Sequence, residues 1–475
     1  MPSEPRVVEL FAGAGGMALG FRAAGCRIVA AADIDESAGR TFLHNFTECQ
    51  PDDPPLVVFG GEGNLEDLDL PRLGSHEPID VLIGGPPCQG FSRAGRAKIN
   101  NLRGEGAFAA DPRNRLYRRF LDATELWQPR AVVMENVPGM LSVAGRNIAE
   151  EVAADIAVLG YKVAYALINA VWFGVPQFRE RIFFLGIRDD LDRSPRLPNA
   201  THRAELPAGY QRPVERNLGL PFVRHSELSI APNEAALPAM TARDALEDLP
   251  AITAHLSHRG EERAEHAYRE AMPSAYGELM RNWPGFPTSR SVRDHVIRRT
   301  PRDYETFRRM KSGDRYPDAI RIANERLEEE LTARAAAGHL LARDTPQWRE
   351  LKARFVPPYP EAIFRDRWRK LIPDQPSWTI PAHLSKDAYS HIHYDSTQAR
   401  AISIREAARL QSFPDAFVFQ GNMGDRYRQV GNAVPPLLAW ALAAQVLIDA
   451  GYDKGSVAPP PELATAEKAV ASHST

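Results

Sequence analysis

Val7-Val-Glu-Leu-Phe-Ala-Gly-Ala-Gly-Gly16 decides the fold. The apolar run 7–11 reads as a short buried strand. The glycine-rich turn 12–16 lets the backbone reverse sharply and approach a ligand closely. Residues 17–24 then follow helical spacing up to Gly25, a stop signal. A strand, a glycine turn and a helix in that order open a doubly wound α/β sheet, with a ligand seated against the helix N-terminus. A second strand, 28–32, ends at Asp33-Ile-Asp35, and a carboxylate at that place is where such folds hold a pair of ribose hydroxyls. A glycine turn alone also serves ordinary loops; together with Asp33 it favours a cofactor site. Further strands are expected at 56–59, 79–83, 131–135, 161–168 and 181–187, with helices at 113–126 and 147–159. This alternation predicts a mostly parallel sheet covered on both faces.

Polar groups fall at the ends of these strands, where open α/β sheets bind ligands. The fourth apolar run, 79–83, leads into Gly84-Gly-Pro-Pro-Cys88-Gln-Gly-Phe-Ser92, a cysteine on a stiff Pro-Pro loop. Such a cysteine is placed as a nucleophile would be, and a packed loop cysteine is an equal reading of this segment alone. Ala131-Val-Val-Met134 is followed by Glu135, a carboxylate for the same crevice or a solvated rim group. In Gln177-Phe-Arg179-Glu-Arg181, strand periodicity puts Gln177, Arg179 and Arg181 on one face, suited to an anionic or planar polar ligand.

Composition narrows the class. The chain has 475 residues, 44% hydrophobic and 25% charged, as ordinary globular proteins do. Three cysteines at unrelated spacings make neither a disulfide framework nor a CxxC metal site, and they fit a reducing interior. No metal site is expected. No basic start followed by an apolar core marks a secretory signal, and the apolar run 437–448 is too short to span a bilayer. A cytoplasmic protein without membrane contact is expected. The formal charge of −3 makes no global case for nucleic acid, so any such case is local.

Six motifs occur in order: Glu9-Leu-Phe-Ala-Gly-Ala-Gly-Gly16, Gly85-Pro-Pro-Cys-Gln-Gly-Phe-Ser92, Glu135-Asn-Val137, Gln177-Phe-Arg-Glu-Arg181, Arg405-Glu-Ala-Ala-Arg-Leu-Gln411 and Gln429-Val-Gly-Asn-Ala-Val434. Together they resemble the series of the DNA (cytosine-5) methyltransferases of the bacterial modification type, over about 7–188 and 377–450. The resemblance implies a Rossmann-like S-adenosylmethionine-dependent α/β domain with a smaller, irregular target-recognition domain. It implies Cys88 as the nucleophile that adds to carbon 6 of a flipped cytosine, Glu135 as the proton donor at ring N3, Arg181 on the ring's O2 and Arg179 in support. For S-adenosylmethionine it implies Phe11 on the adenine, Ala12, Gly13, Gly15 and Gly16 under the methionine part, Asp33 on the ribose and Ile34 against the adenine. Gly85, Pro86, Pro87, Asn432 and Val434 would complete the pocket. The family's third strand ends in Gly-Asp, whereas this chain has Gly63-Asn64, and an Asn carbonyl can accept the same hydrogen bond. Double-stranded DNA would meet Gln89, Ser92, Arg93, Arg96 and Gln177. A glycine-rich basic segment after Cys88 would close over the base.

From about 189 to 375 the alternation fades into proline, arginine and aromatic residues, and the resemblance places target recognition there. Two basic stretches, 290–315 and 364–370, are the local positive charge that the global balance hides. Ser403-Ile-Arg-Glu406 is a capping box that returns the chain to the first domain, and 437–450 reads as an amphipathic helix. The expected division is therefore a catalytic and cofactor domain of 1–188 and 376–453, a recognition domain of 189–375, and a disordered tail of 454–475. An RNA cytosine methyltransferase would share the motifs, with the long insert favouring DNA; a silent DNA-binding relative would have no need of Cys88, Glu135 and both arginines. A partner nuclease or a wider defence system is compatible with the chain but not legible in it.

Overall fold

The computed structural model describes residues 4–74, 78–87, 116–141, 147–208, 210, 236–257, 265–270, 272–360, 367–384 and 388–463. The strands are β1 (Arg6–Leu10), β2 (Arg27–Asp33), β3 (Leu56–Phe59), β4 (Val81–Gly84), β5 (Ala131–Asn136), β6 (Tyr161–Asn169), the short β7 (Gln177–Phe178) and β8 (Glu180–Arg188). Seven of them form one sheet in the order β3-β2-β1-β4-β5-β8-β6. Pairings from β3 across to β5 are parallel, and β8 runs antiparallel to both β5 and β6. The chain order reverses between β1 and β4, so a crevice opens at the carboxyl ends of these strands, next to the glycine turn.

Period-two alternation explains why both faces are covered. Val7, Ile28, Val81, Ile83 and Val133 belong to one buried cluster, whereas Val8, Leu10, Ala30, Leu82, Val132 and Met134 belong to another. Helices α1 (Gly16–Ala23) and α2 (Glu36–Cys49) share the first face, and α3 (Leu116–Trp127) and α4 (Ile148–Val158) the second.

Beyond β8 lie α5 (Ala242–Leu246), α6 (Ala275–Arg281), α7 (Tyr304–Arg309), α8 (Tyr316–Ala336) and α9 (Pro346–Phe355). Then come α10 (Ile404–Leu410), α11 (Met423–Asn432) and α12 (Pro436–Asp449). The predicted capping box starts α10, with the Ser403 hydroxyl accepting from the Glu406 N–H and the Glu406 carboxylate from the Ser403 N–H. Packing cuts across the expected 189–375 division. Met240, Leu246, Tyr276, Trp283 and Val292 join the first cluster of the sheet domain, and among the described residues only the later part, around Phe307, Tyr316 and Trp368, belongs to a separate core, which Ile392 from beyond 375 also joins. Part of the basic charge is paired within the protein. Arg293, Arg302, Arg308 and Arg309 pair with nearby acids, and Trp368 and Lys370 are buried. The Lys370 ammonium donates to the carbonyls of Phe307 and Met310 and to the Ser396 hydroxyl, which makes it a structural tie.

Two further expectations change, on helix α12 and on the tail. Helix α12 is not amphipathic; all its residues but Gln445 and Ile448 are buried, because α1 covers it. The stretch Met423–Asp449 has the length and mean hydropathy, 1.4, of a bilayer span, but 83% of that apolar window is buried within the protein. The tail is anchored up to residue 463: Val457 and Leu463 are buried, the Trp440 indole donates to the Ala458 carbonyl, and the Ala458 N–H donates to Ala24. Residues 464–475 lie outside the described ones.

Helices α1 and α12 touch backbone to backbone at Gly20, where a Cβ would collide with the Trp440 backbone nitrogen. Gly20→Ala is expected to destabilise the fold by about 1–3 kcal/mol through overpacking, read as a lower urea midpoint at unchanged slope.

Candidate active site

A cavity of about 610 Å³ occupies the crevice, within the range of roughly 300–1,000 Å³ usual for ligand sites. The glycine turn forms its floor. Phe11, at the end of β1, holds φ at 57°, a left-handed conformation that costs a non-glycine residue and turns its side chain into the cavity lining. Gly13 has φ 53°, and a Cβ there would meet nothing, since the space beyond it is the cavity. Gly15 (φ 87°) does not line the cavity; a Cβ there would press on Phe42 and Phe46, so its role is to let the turn pack on α2. Gly16 lines the cavity, and a Cβ there would collide with the Val434 carbonyl on the opposite wall.

At the end of β2 the two acids divide their work. Asp33 accepts from the Gly13 N–H and the Asp35 N–H, both at 2.7 Å, and still faces the cavity. Burial raises its carboxyl above the usual range, opposed by those two bonds. Asp35 is saturated by the Ser37 and Ala38 N–H groups, the Ser37 hydroxyl and Arg428, and it serves as the N-cap of α2. Ile34 stands 64% exposed on the rim, an unusual position for a large apolar side chain. Asn64 also lines the cavity; its amide donates to Asp67 at 2.8 Å, and its carbonyl oxygen, which accepts from Glu66 at 3.3 Å, has a second lone pair.

The inner end carries the charged groups. The Arg181 Nε meets Glu135 Oε1 at 2.9 Å, while Arg181 Nη1 donates to the Glu180 carbonyl at 2.7 Å. Burial raises the Glu135 carboxyl above its ordinary value, and the nearby Arg181 and Arg179 hold the rise in check. Asn136 donates to the Pro86 carbonyl, which ties the Pro-Pro loop to β5 beside Glu135. A Cβ on Gly85 would stand 3.1 Å from Glu135 Oε2, a tight contact that would press on that carboxylate.

Ala12, Gly85, Pro86, Pro87, Asn432 and Val434 line the same cavity as Phe11, Asp33, Glu135 and Arg181. Two expected side chains lie elsewhere. Gln177 is wholly buried, donating to the Leu410 carbonyl and the Gln411 side chain and accepting from the Ile380 N–H, so it presents nothing to DNA. Arg179 is 1% exposed and donates to the Gly431 and Ile380 carbonyls. It reaches the cavity only through its charge and through the backbone beside Asn432. The strand breaks at Arg179, between β7 and β8, which is why the three-residue alternation fails. Cys88, Gln89, Ser92, Arg93 and Arg96 lie outside the described residues.

Sequence reasoning missed Glu9, Asp35, Arg428 and Gln429 as lining groups. An acid inside the apolar run of β1 was a visible signal for Glu9, whose carboxylate accepts from the Ala18 N–H and is raised well above its ordinary range by burial. No local signal marks Arg428, which meets Asp35 across 393 positions.

The sequence profile of the C-5 cytosine-specific DNA methylases matches residues 5–447. The chain belongs to that family. It is a DNA (cytosine-5) methyltransferase with the α/β fold of these enzymes. A relative from Oceanobacillus iheyensis named as a type II methyltransferase is 36% identical over 453 residues, covering 92% of this chain and 94% of its own. Type II methyltransferase M.AgeI of Thalassovita gelatinovora is 30% identical, covering 93% and 99%. Among solved structures, a DNA modification methyltransferase from an Escherichia coli prophage superposes with a TM-score of 0.60 at 21% identity, over 94% of this chain and 99% of that one, a likeness of fold. In the methyltransferase, then, the glycine turn and the Glu135–Arg181 pair are two ends of one cavity.

Proposed function

We propose that this methyltransferase modifies cytosine within a specific double-stranded DNA sequence, by base flipping and a covalent Cys88–C6 intermediate, with S-adenosylmethionine as donor. The observation that carries the reading is a largely buried carboxyl, Glu135, held by Arg181 at the inner end of a cavity whose outer end suits a nucleoside.

The cavity fits the donor. Phe11 and Ile34 offer apolar surface for an adenine, Asp33 is pre-aligned for a ribose, and the open space over Gly13 leaves room for the methionine part. When bound, S-adenosylmethionine supplies an electrophilic methyl group. The chain's own residues then divide the work. The Cys88 thiolate adds to carbon 6, forming an S–C6 bond, while Glu135 gives a proton to N3, so that the electron pair collects as an enamine with nucleophilic carbon 5. Once carbon 5 carries the methyl group, loss of its proton restores the C5–C6 double bond and expels the thiolate, and N3 returns its proton to the Glu135 carboxylate. Burial keeps Glu135 protonated to higher pH than a free carboxyl, as a proton donor requires. Arg181 is suited to hold the ring's O2. Attack from both ring faces requires the base to leave the duplex. The relatives' naming as type II methyltransferases supports a modification enzyme of a restriction-modification system.

Bisulfite sequencing of plasmid from cells expressing the protein is expected to show one methylated sequence context. Duplex DNA of that context made with 5-fluorocytosine should form an adduct stable to denaturation, because the fluorine blocks the final elimination, and RNA of the same sequence should not. Absence of new 5-methylcytosine would overturn the function; methylation without an adduct would overturn the covalent route.

A further inference from the structure

The walls of the cavity come from distant parts of the chain, and they are sewn together at one place. Helix α11 contributes Arg428, Gln429 and Asn432 to the lining. Its partner across the seam is the turn from β2 into α2. Gln429 makes the inner stitch: its amide donates to the Ser37 hydroxyl and the Gln420 carbonyl, and its carbonyl accepts from the Thr41 hydroxyl; the bonds to Ser37 and Thr41 are buried and the one to Gln420 partly so. Arg428 makes the outer one. Its Nε and Nη2 both donate to Asp35 Oδ2, at 3.1 and 2.8 Å, and Nη2 also meets Asp425 at 2.9 Å. The side chains of Arg428 and Asp35 are 42% and 30% exposed. The outer stitch is therefore the one that water can reach and open.

We propose that Arg428 is a positioning residue for the methyl donor. Its clasp on Asp35 holds α11 against the β2–α2 turn, so that Asn432 on one wall and Asp33 on the other keep the spacing of the bound state. Asp35 is fixed in turn by the N–H groups of α2 that it caps, which leaves Arg428 as the movable half of the pair. Opening the clasp widens the cavity at its nucleoside end and lets the donor or its demethylated product leave. The proposal rests on the reading of this cavity as the S-adenosylmethionine site.

Binding of S-adenosylhomocysteine to the full-length protein, followed by calorimetry and by stopped-flow dissociation, tests it. A half-exposed pair is worth little, so Arg428→Ala should raise the dissociation constant about two- to fivefold, mainly through faster dissociation. Arg428→Glu, which sets a third carboxylate against Asp35 and Asp425, should raise it more than tenfold, and Arg428→Lys should restore part of the loss. In turnover, the change should fall on KM for S-adenosylmethionine rather than on kcat or on KM for DNA. Arg40→Ala, which removes an exposed pair with Glu36 on the outer side of α2, should leave binding as it is. An Arg428→Glu protein that folds and binds S-adenosylhomocysteine as tightly and as long as the unaltered one would overturn the clasp while leaving the donor site in place. Failure of the unaltered protein to bind S-adenosylhomocysteine at all would overturn both.

Discussion

Glu135→Gln is expected to slow methyl transfer by about 10²- to 10⁴-fold, the usual worth of a general acid, with S-adenosylhomocysteine binding changed far less. Gln keeps the shape of the carboxyl at the end of β5 but cannot give a proton to N3. It also replaces the charged partner that Arg181 meets at 2.9 Å with a neutral amide oxygen, so part of the loss is a weaker hold on Arg181 and on the ring it positions. Gly85→Ala, by pressing on Oε2, should reproduce the positioning loss without removing the acid, and the two variants together separate these contributions. The pH dependence has a definite sign. Burial raises Glu135, so its proton is retained into the range above an ordinary carboxyl and is lost as pH rises through the raised value; the step it serves should weaken on that alkaline limb. Stability carries the same sign: the contribution of protonated Glu135 is full below the ordinary carboxyl pKa and is lost as pH rises through the folded one. Single-turnover rates across pH, for the unaltered protein and Glu135→Gln, check both. A variant within threefold of normal would remove Glu135 from the chemistry.

The largest effect on stability is expected from Arg409→Met, about 3–5 kcal/mol. The Arg409 side chain is wholly buried and divides its N–H groups among Asp248, Asp415 and the Ala245 carbonyl, at 2.6–3.1 Å. Arg281 joins at Asp248, and the Tyr276 hydroxyl donates to the Arg409 carbonyl. Burial alone would raise Asp248; Arg409 and Arg281 together hold it below its ordinary value. Without Arg409, two carboxylates stay buried with too few partners, which costs more than the lost bonds. Asp248→Asn and Asp415→Asn in the same chain should recover much of the loss, since the uncompensated charge then disappears. The contribution of Asp248 is present above the ordinary aspartate pKa and falls away as pH drops through the lowered folded one. Urea unfolding of the single and triple variants at neutral pH measures this; a single variant within 1 kcal/mol of normal would refute the cluster as a main tie.

That cluster also shows where sequence reading stopped. Within one chain segment it went far. Apolar runs located every strand of the large sheet, because a strand buried on both faces must be mostly apolar, as β4 is throughout and β1 is apart from Arg6 and Glu9. The capping box at Ser403 and the glycine turn before α1 were legible for the same reason: the backbone geometry they satisfy is local. The motif residues Phe11, Asp33, Glu135 and Arg181 could be named because each ends or flanks a strand, and the topology alone brings strand ends to one crevice.

What the segments do to one another was settled only by tertiary contact. Whether an arginine faces DNA, a carboxylate or a carbonyl depends on partners far away in the chain. Arg409 was read as part of a motif and proved to be the hub joining α10 to α5 and α6. Lys370 and Trp368 looked like a nucleic-acid surface and are core; Gln177 looked like a DNA contact and is a buried brace. Asp33 and Asp35 are equivalent as letters two apart, yet the first faces the cavity and the second is consumed by α2 and Arg428. Periodicity and turn chemistry act over a few residues and so are written in the sequence, whereas the pairing of buried charge is chosen by what the finished fold brings within about 3 Å.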